Sequence, residues 1–171
     1  MSPYFKMLSN FDLERIAKFY KLPLISICMK NELPTALKDG CYIVNMQSST
    51  AGSGTHWVSL FVYKDNSYYF DSFGATPPVE LINFVKKRKG CHLLYNNFII
   101  QDLKSESCGW YCLAFLLCMF ENRTRQNFKD VYNEFVNKFA EDTTKNDDIL
   151  KSFFALSPAE RRPNILKNFI S

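Results

Sequence analysis

The chain has 171 residues, of which 47% are hydrophobic and 22% are charged, and its formal net charge is +4. This length and composition predict a single folded domain over residues 1–171 and exclude a largely disordered chain. The N-terminal residues contain no apolar run of signal-peptide length, and the apolar run at 110–120 is too short to cross a bilayer. We therefore expect a cytosolic, nuclear or packaged protein without membrane contact.

The first predicted element is an amphipathic helix that Ser9 or Asn10 can cap and that Pro23 closes. Its apolar positions have helical spacing: Leu13, Ile16, Ala17 and Tyr20. A Pro-containing loop follows, and residues 41–45 then read as a short strand. Residues 47–54 are rich in Ser, Thr and Gly, which predicts a mobile loop that leads to His56.

Residues 56–63 and 67–70 are rich in aromatic and β-branched residues and flank a turn signal at 64–66, which predicts a β-hairpin. Each register that we considered places His56 and Asp71 on the same face of the sheet. A turn centred on residues 65–66 would still offset the two residues by roughly 13 Å along the strand. The pattern therefore predicts a shared face and leaves contact open, and Asp71 could equally be a turn carboxylate.

Residues 79–89 read as a helix with cations in its last turn, closed by Gly90. The cations are consecutive: Lys86, Lys87, Arg88 and Lys89. Such a run is usually solvated. Its charge would permit contact with nucleic-acid phosphates, but the interleaved aromatic residues of a specific site are missing. Residues 93–95 and 98–100 give further short strand signals.

Residues 110–120 contain no charged residue, which predicts a helix buried on all sides. Cys108 lies at its start, behind three residues suited to capping: Ser105, Glu106 and Ser107. A thiol at this position feels the positive end of the helix dipole, which favours the thiolate. Further helices are predicted at 127–139, at 147–156 and from Ser157 onward, so the order of elements indicates an α+β fold.

Six cysteines are scattered along the chain: Cys28, Cys41, Cys91, Cys108, Cys112 and Cys118. Without a signal peptide, this pattern favours free thiols in a reducing compartment over a disulfide framework. A zinc site around His92 and the neighbouring cysteines would lack the paired C-x2-C spacing of such sites. The sequence therefore predicts no metal.

A thiol at a helix start, an imidazole at a strand start and a carboxylate on the same face are the groups that thiolate chemistry needs. In this interpretation His56 takes the proton of Cys108 and Asp71 orients the imidazole. The oxyanion of the tetrahedral intermediate would be stabilised by the Cys108 backbone N–H and the Gln101 side-chain amide. Taken by itself, Cys108 could also be a structural cysteine, because buried free cysteines are common.

The chain resembles the adenovirus-type maturation proteases, or adenains, of the clan that includes the SUMO proteases. The shared motifs are His56-Trp57, the Phe-Asp-Ser-Phe-Gly segment at 70–74, and Gln101 seven residues before Cys108-Gly109. The first helix, the strand before the histidine loop and the helical C-terminal end also match, so the resemblance covers most of the chain. Versions from virophages and Polinton-type elements are more similar than those of adenoviruses, which carry glutamate where this chain has Asp71.

The resemblance implies a papain-like fold whose central mixed sheet packs against a buried helix beginning at the nucleophilic cysteine, with helices at both ends. It implies a viral endopeptidase that cleaves capsid and other virion precursors at small, glycine-containing sites through a thioester. The implied catalytic residues are Cys108 as nucleophile, His56 as general base and acid, Asp71 as its orienting partner and Gln101 as oxyanion donor. Such an enzyme would be a monomer without a required cofactor, active in the host cytoplasm and packaged in the virion.

The resemblance also implies two activators. Cys91 lies within one residue of the position where the adenovirus enzyme bonds an activating peptide, although a structural cysteine would explain it as well. The second implied activator is DNA, and the only feature that supports it is the basic run at 86–89. Three other functions stay open: an isopeptidase for ubiquitin-like proteins, an acetyltransferase effector, and an inactive binding module that kept the fold.

Overall fold

A computed structural model of the chain describes residues 5–52, 55–125 and 127–157. The elements in chain order are α1 (Asn10–Phe19), β1 (Leu24–Met29), β2 (Gly40–Asn45), β3 (Trp57–Tyr63), β4 (Asn66–Phe70), α2 (Val79–Val85), β5 (His92–Tyr95), α3 (Cys108–Glu121), α4 (Phe128–Val136) and α5 (Asn146–Ala155), with a 3-10 turn at Thr143–Lys145 before α5. The predicted α+β class is confirmed.

All five strands form one mixed sheet in the order β1-β2-β3-β4-β5. The three central strands are antiparallel, and the outer strands β1 and β5 run parallel to their neighbours. Because side chains alternate between the two faces of a strand, the sheet contributes to two cores. Phe61 and Phe70 belong to the core under α3 and α4, whereas Tyr42 and Leu60 belong to the core under α2.

Helix α3 is the centre of the larger core, as its uncharged sequence predicted. Eleven of its fourteen residues are buried. Phe115 stacks on Phe70 of the sheet at 5.1 Å between ring centroids and meets Phe135 of α4 at 5.6 Å. Each such aromatic side chain contributes about 1.5–3 kcal/mol through burial alone. None of the helices in the described part of the chain has both the length and the apolarity to cross a membrane.

Two strand predictions at the edge of the sheet were wrong. Strand β1 directly follows Pro23, and this stretch was predicted as a loop. Its residues are mostly half-buried, so they show no clear strand pattern, and the strand is held by parallel pairing with β2. Residues 98–100 read as a strand, but Phe98 and Ile99 are exposed. These residues form a loop instead of a strand, in which the backbone N–H of Ile100 donates to the carbonyl of Ser72 at 2.8 Å.

The basic run lies beyond its helix rather than in the last turn, because α2 already ends at Val85. Lys87 Nζ donates to the carbonyl of Thr35 at 2.8 Å. Arg88 pairs with Asp39 and donates to backbone carbonyls, so it holds the segment before β2. Two of the four cations are therefore engaged within the protein.

The helical predictions were otherwise close to the observed bounds. Ser9 caps α1 in a reciprocal capping box with Asp12, and Asn127 caps α4. The predicted helix at 147–156 is α5. The helix predicted from Ser157 onward lies outside the described residues.

Candidate active site

The hairpin of β3 and β4 brings His56 and Asp71 together because its turn lies one residue earlier than predicted. Tyr63 pairs with Asn66, so only two residues form the turn, and Lys64 adopts a positive φ of 53°. His56 and Asp71 are thus offset by two positions along the strands instead of four. Both lie beyond the last residue pair of the hairpin, Ser59 with Phe70. Nε2 of His56 lies 2.6 Å from Oδ1 of Asp71.

The Asp71 carboxylate is buried, with 1% of its surface exposed, and backbone donors fix it. Oδ1 accepts from the N–H of Phe73 at 2.9 Å and Oδ2 from the N–H of Ala75 at 3.2 Å. Asn96 holds the backbone of Asp71 on both sides, accepting from its N–H at 3.0 Å and donating to its carbonyl at 2.6 Å. The carboxylate is therefore a rigid acceptor for the imidazole.

Gly74 makes the loop after Asp71 possible. Its φ is +72°, and an added Cβ would overlap the backbone of Phe98. The resulting close approach lets the Ser72 carbonyl accept from the N–H groups of Ile100 and Gln101 at 2.8 and 2.9 Å. The loop that carries the acid is thus bound directly to the loop that leads to Cys108.

Cys108 is the first residue of α3 and is 6% exposed. Cys108 is close enough to His56 to raise the pKa of the imidazole, and since Nε2 of the ring faces Asp71, Nδ1 is the nitrogen left for the thiol. Phe73 lies against the imidazole at 4.7 Å between centroids. Gly109 allows α1 to approach, because an added Cβ would lie 3.2 Å from side-chain atoms of Leu8 and Leu13.

Opposing effects set the charge state of His56. Burial lowers its pKa, whereas the hydrogen bonds to Asp71 and Cys108 raise it, and the net result is a pKa of about 9. At neutral pH the ring is therefore an imidazolium, which can give a proton to a leaving group. A cysteine with such an acid–base partner beside it is suited to nucleophilic catalysis.

A titration of His56 by NMR tests this assignment. Below its pKa the ring is protonated on both nitrogens. We therefore expect the NMR signal of His56 to keep its imidazolium chemical shift at neutral pH and to change with a midpoint near pH 9. Asp71→Asn removes the negative charge that favours the proton, and the midpoint is expected to fall. Spectra of His56→Ala assign the signal. A midpoint that stays in place in Asp71→Asn would contradict the role of the carboxylate.

Gln101 lies at the site but is engaged with neighbouring loops. Its Oε1 accepts from Ser72 Oγ at 2.6 Å, and its Nε2 donates to the carbonyl of Ser105 at 2.9 Å. Its role as an oxyanion donor stays a prediction, since the amide would have to exchange Ser105 for the substrate oxygen. The motif at 70–74 contains Ser72 but gave it no role, and no sequence motif pointed to Asn96.

The predicted capping of α3 was wrong for Ser107. Ser107 occupies the capping position, but its side chain accepts no N–H of the helix. Its hydroxyl donates to Asp147 instead, at 3.0 Å. The first turn of α3 therefore keeps its N–H groups for another acceptor, such as an oxyanion beside Cys108.

Two other sequence candidates lie away from this site, next to strand β5. Cys91 is half-buried, with its sulfur 3.6 Å from Ser67 Oγ, and His92 is an exposed residue at the start of β5. The described residues contain no cluster of three His, Cys, Asp or Glu side chains that could hold a metal ion.

The fold is similar to that of the ASFV pS273R protease. Two crystal structures of that protein, one of them the selenomethionine protein, match 92% of this chain at 19% identity; the match covers 68% and 67% of those chains, with TM-scores of 0.52 and 0.50. This similarity confirms the predicted papain-like fold of the SUMO-protease type. AvrA delL154 with IP6 and CoA matches 82% of this chain and 53% of its own at 20% identity and a TM-score of 0.43. No protein-family model and no curated protein matches the chain.

Proposed function

We propose that this chain is a cysteine endopeptidase that matures virion precursor proteins. The observation that carries the proposal is the Asp71–His56–Cys108 arrangement, with 2.6 Å between Nε2 of His56 and the carboxylate, and with Cys108 close enough to raise the pKa of the ring. Cys108 begins a buried helix of a papain-like fold, and His56 and Asp71 flank the hairpin of β3 and β4 beside it. Nucleophile, base and orienting carboxylate are the groups that acyl transfer through a cysteine requires.

The arrangement supports a two-step hydrolysis. The Cys108 thiolate attacks the carbonyl carbon of the scissile bond, and the tetrahedral intermediate collapses to a thioester when the His56 imidazolium gives its proton to the leaving amine. The neutral imidazole then removes a proton from water, which attacks the thioester. Collapse releases the carboxylic acid and restores the thiolate and the imidazolium. Asp71 keeps Nε2 protonated throughout.

The oxyanion of each tetrahedral intermediate needs hydrogen-bond donors. The N–H groups of the first turn of α3 lie beside Cys108, and no side chain from Ser107 caps them. Removing one such donor costs other hydrolases about 10²–10³ in kcat. Gln101 would add a side-chain donor once its amide turned from Ser105 toward the substrate.

A cleft of about 480 Å³ is lined by residues from the start of α1, from β1 and from the start of β3, and it is the proposed place for part of an extended substrate. Its lining includes Thr55 and Trp57, the two neighbours of His56, together with Met7 and Leu8. Trp57 Nε1 donates to the carbonyl of Leu8 at 2.9 Å, which fixes this side of the cleft. The lining combines apolar side chains such as Ile27 and Met29 with the carboxylates of Asp12 and Glu32.

Capsid precursors are the proposed substrates, with cleavage at glycine-containing sites in the host cytoplasm and in the particle. The sequence resemblance to maturation proteases supports this assignment. Purified wild-type protein and Cys108→Ala should be incubated with candidate precursors and the cut sites read by mass spectrometry. We expect Cys108-dependent cuts after small residues. Faster release of a ubiquitin-like protein from an isopeptide bond would instead favour a deconjugating enzyme, and acetyl transfer from labelled acetyl-CoA an effector.

Activation is a separate proposal. Cys91 is half-buried on the strand β5 side of the sheet and would attach an activating peptide by thiol–disulfide exchange with a mixed disulfide that the peptide already carries, whose other sulfur leaves as a thiol. Cys91→Ser should leave basal hydrolysis unchanged and abolish stimulation by such a peptide; stimulation that persists would exclude Cys91. DNA would contact Lys86 and Lys89, since Lys87 and Arg88 already bind the protein itself. A rate that is unaffected by DNA at low salt would exclude this activator.

A further inference from the structure

Asp147, in the first turn of α5, accepts hydrogen bonds from three hydroxyl groups of the segment around the nucleophile. Ser105 Oγ lies 2.9 Å from Oδ2, Ser107 Oγ lies 3.0 Å from Oδ2, and the Tyr111 hydroxyl lies 3.0 Å from Oδ1. These donors surround Cys108 in the sequence, two before it and one in the first turn of α3. One carboxylate thus holds both the entry to the helix and its start.

The preceding residue, Asn146, fixes the other end of the same loop. Its side chain is fully buried, and Nδ2 donates to the carbonyl of Ile100 at 2.7 Å. The same amide group donates to the carbonyl of Ala140 at 2.9 Å, while Oδ1 accepts from the N–H of Ala140 at 2.7 Å. Two consecutive residues of α5 therefore hold the loop at 100–107 at its beginning and at its end.

A continuous hydrogen-bond chain leads from Asp147 to the acid loop. Ser105 Oγ donates to Asp147 and accepts from Gln101 Nε2 at 3.3 Å, and the Ser105 carbonyl accepts from the same nitrogen at 2.9 Å. Gln101 Oε1 in turn accepts from Ser72, the residue after Asp71, at 2.6 Å. The position of Gln101 therefore depends on Ser105, whose hydroxyl is directed by Asp147.

The charge of Asp147 suits this task. Hydrogen bonds to a carboxylate are shorter and stronger than those between neutral groups. Burial and the nearby carboxylate raise the pKa of Tyr111, so its hydroxyl remains a protonated donor. Asparagine at this position would replace one acceptor oxygen by an NH2 donor, which would face a hydroxyl that now donates. The neutral analogue therefore cannot accept hydrogen bonds from all three hydroxyl groups as the carboxylate does.

We propose that Asp147 is a positioning residue of the catalytic site: it acts through Ser105 and Ser107 to hold the loop that carries Gln101, and the Cys108 backbone, beside the place where the oxyanion forms. This inference rests on the proposed function, because it concerns the same site. Asp147 does not touch the reacting atoms. It controls how well the loop at 100–107 matches the transition state, so its loss should affect kcat more than KM.

The experiment compares Asp147→Asn with Asp148→Asn, a matched change at the exposed next residue of α5. Hydrolysis of a fluorogenic peptide with glycine before the coumarin leaving group gives kcat and KM. We expect Asp147→Asn to lower kcat by about 10–100-fold, the scale of a small misplacement in an active site, with KM changed by less than about threefold. Asp148→Asn should retain wild-type values.

Two thiol reagents separate positioning from general damage. A peptide aldehyde forms a tetrahedral adduct that needs the oxyanion donors, so its inhibition constant should rise with the loss of kcat. Chloroacetamide needs only the reactive thiolate, and its rate of reaction with Cys108 should stay within about threefold of wild type. Equal losses with both reagents, or an unchanged aldehyde affinity, would overturn the inference.

A second variant covers the case in which Asp147→Asn does not fold. Ser105→Ala removes the link between Asp147 and Gln101 and should reproduce the kcat and aldehyde effects; wild-type behaviour of Ser105→Ala would overturn the inference. Where both variants fold, the double variant should lose no more than the stronger single one, since they interrupt one chain. A wild-type protein without Cys108-dependent hydrolysis would overturn the proposed function as well, whereas an active wild type with a fully active Asp147→Asn overturns this inference alone.

Discussion

Cys108→Ala is expected to lower kcat for peptide hydrolysis by on the order of 10⁴–10⁶, the scale seen when a catalytic nucleophile is removed from a protease. Alanine has no atom that can attack a carbonyl, and no thioester can form. The fold should persist, because the substitution removes one sulfur from a helix that is held by many other buried side chains. Initial rates with the fluorogenic peptide and a circular dichroism spectrum measure both properties.

Cys91→Ser is the matched control for this change, since it also removes one thiol but lies next to strand β5. Its basal rate should equal that of wild type. A Cys108→Ala protein that keeps more than about a tenth of the wild-type rate would contradict nucleophilic catalysis by this residue, because only the residual effect of binding and of the oxyanion donors should survive.

His56→Ala is expected to produce the second-largest loss, about 10⁴-fold in kcat at neutral pH. The imidazolium stabilises the thiolate and supplies the proton for the leaving amine, and both effects disappear with the ring. The Cys108 thiolate should also react more slowly with chloroacetamide, since its cationic partner is gone. This second readout separates His56 from residues that act only on the oxyanion.

His92→Ala provides the control, because His92 is the other histidine of the chain and lies exposed at the start of β5. It should leave both hydrolysis and alkylation at wild-type rates. If His92→Ala abolished activity while His56→Ala did not, the assignment of the general base would be wrong.

The main features of the fold followed from local pattern. The run at 110–120 contains no charged residue and therefore predicted a helix buried on all sides. Capping residues such as Ser9 and Asn127 marked where other helices begin. Strand β1 was missed because its order comes from a partner strand eleven residues or more away in the chain, which local periodicity does not record. The turn of the central hairpin was misplaced by one residue, and this error doubled the predicted offset between His56 and Asp71.

The candidate site was predicted in part. Residue type and position in the elements pointed to Cys108, His56, Asp71 and Gln101, and the resemblance implied the same four roles. The residues that hold the site were not identified, because Ser72 and Asn96 act through contacts between loops distant in sequence. The sequence predicted only that Asp147 begins a helix. Its function depends on hydroxyl groups about 40 residues upstream, which approach it only in the folded chain.

The central claim is that Cys108 forms a thioester with the acyl part of its substrate. It is tested most directly by mixing the protein with peptide substrate, quenching in acid within the first turnover and measuring the intact mass. We predict an added mass equal to the acyl fragment, located on the peptide that contains Cys108 and absent from Cys108→Ala. Hydrolysis that proceeds without this adduct and persists in Cys108→Ala would contradict the account.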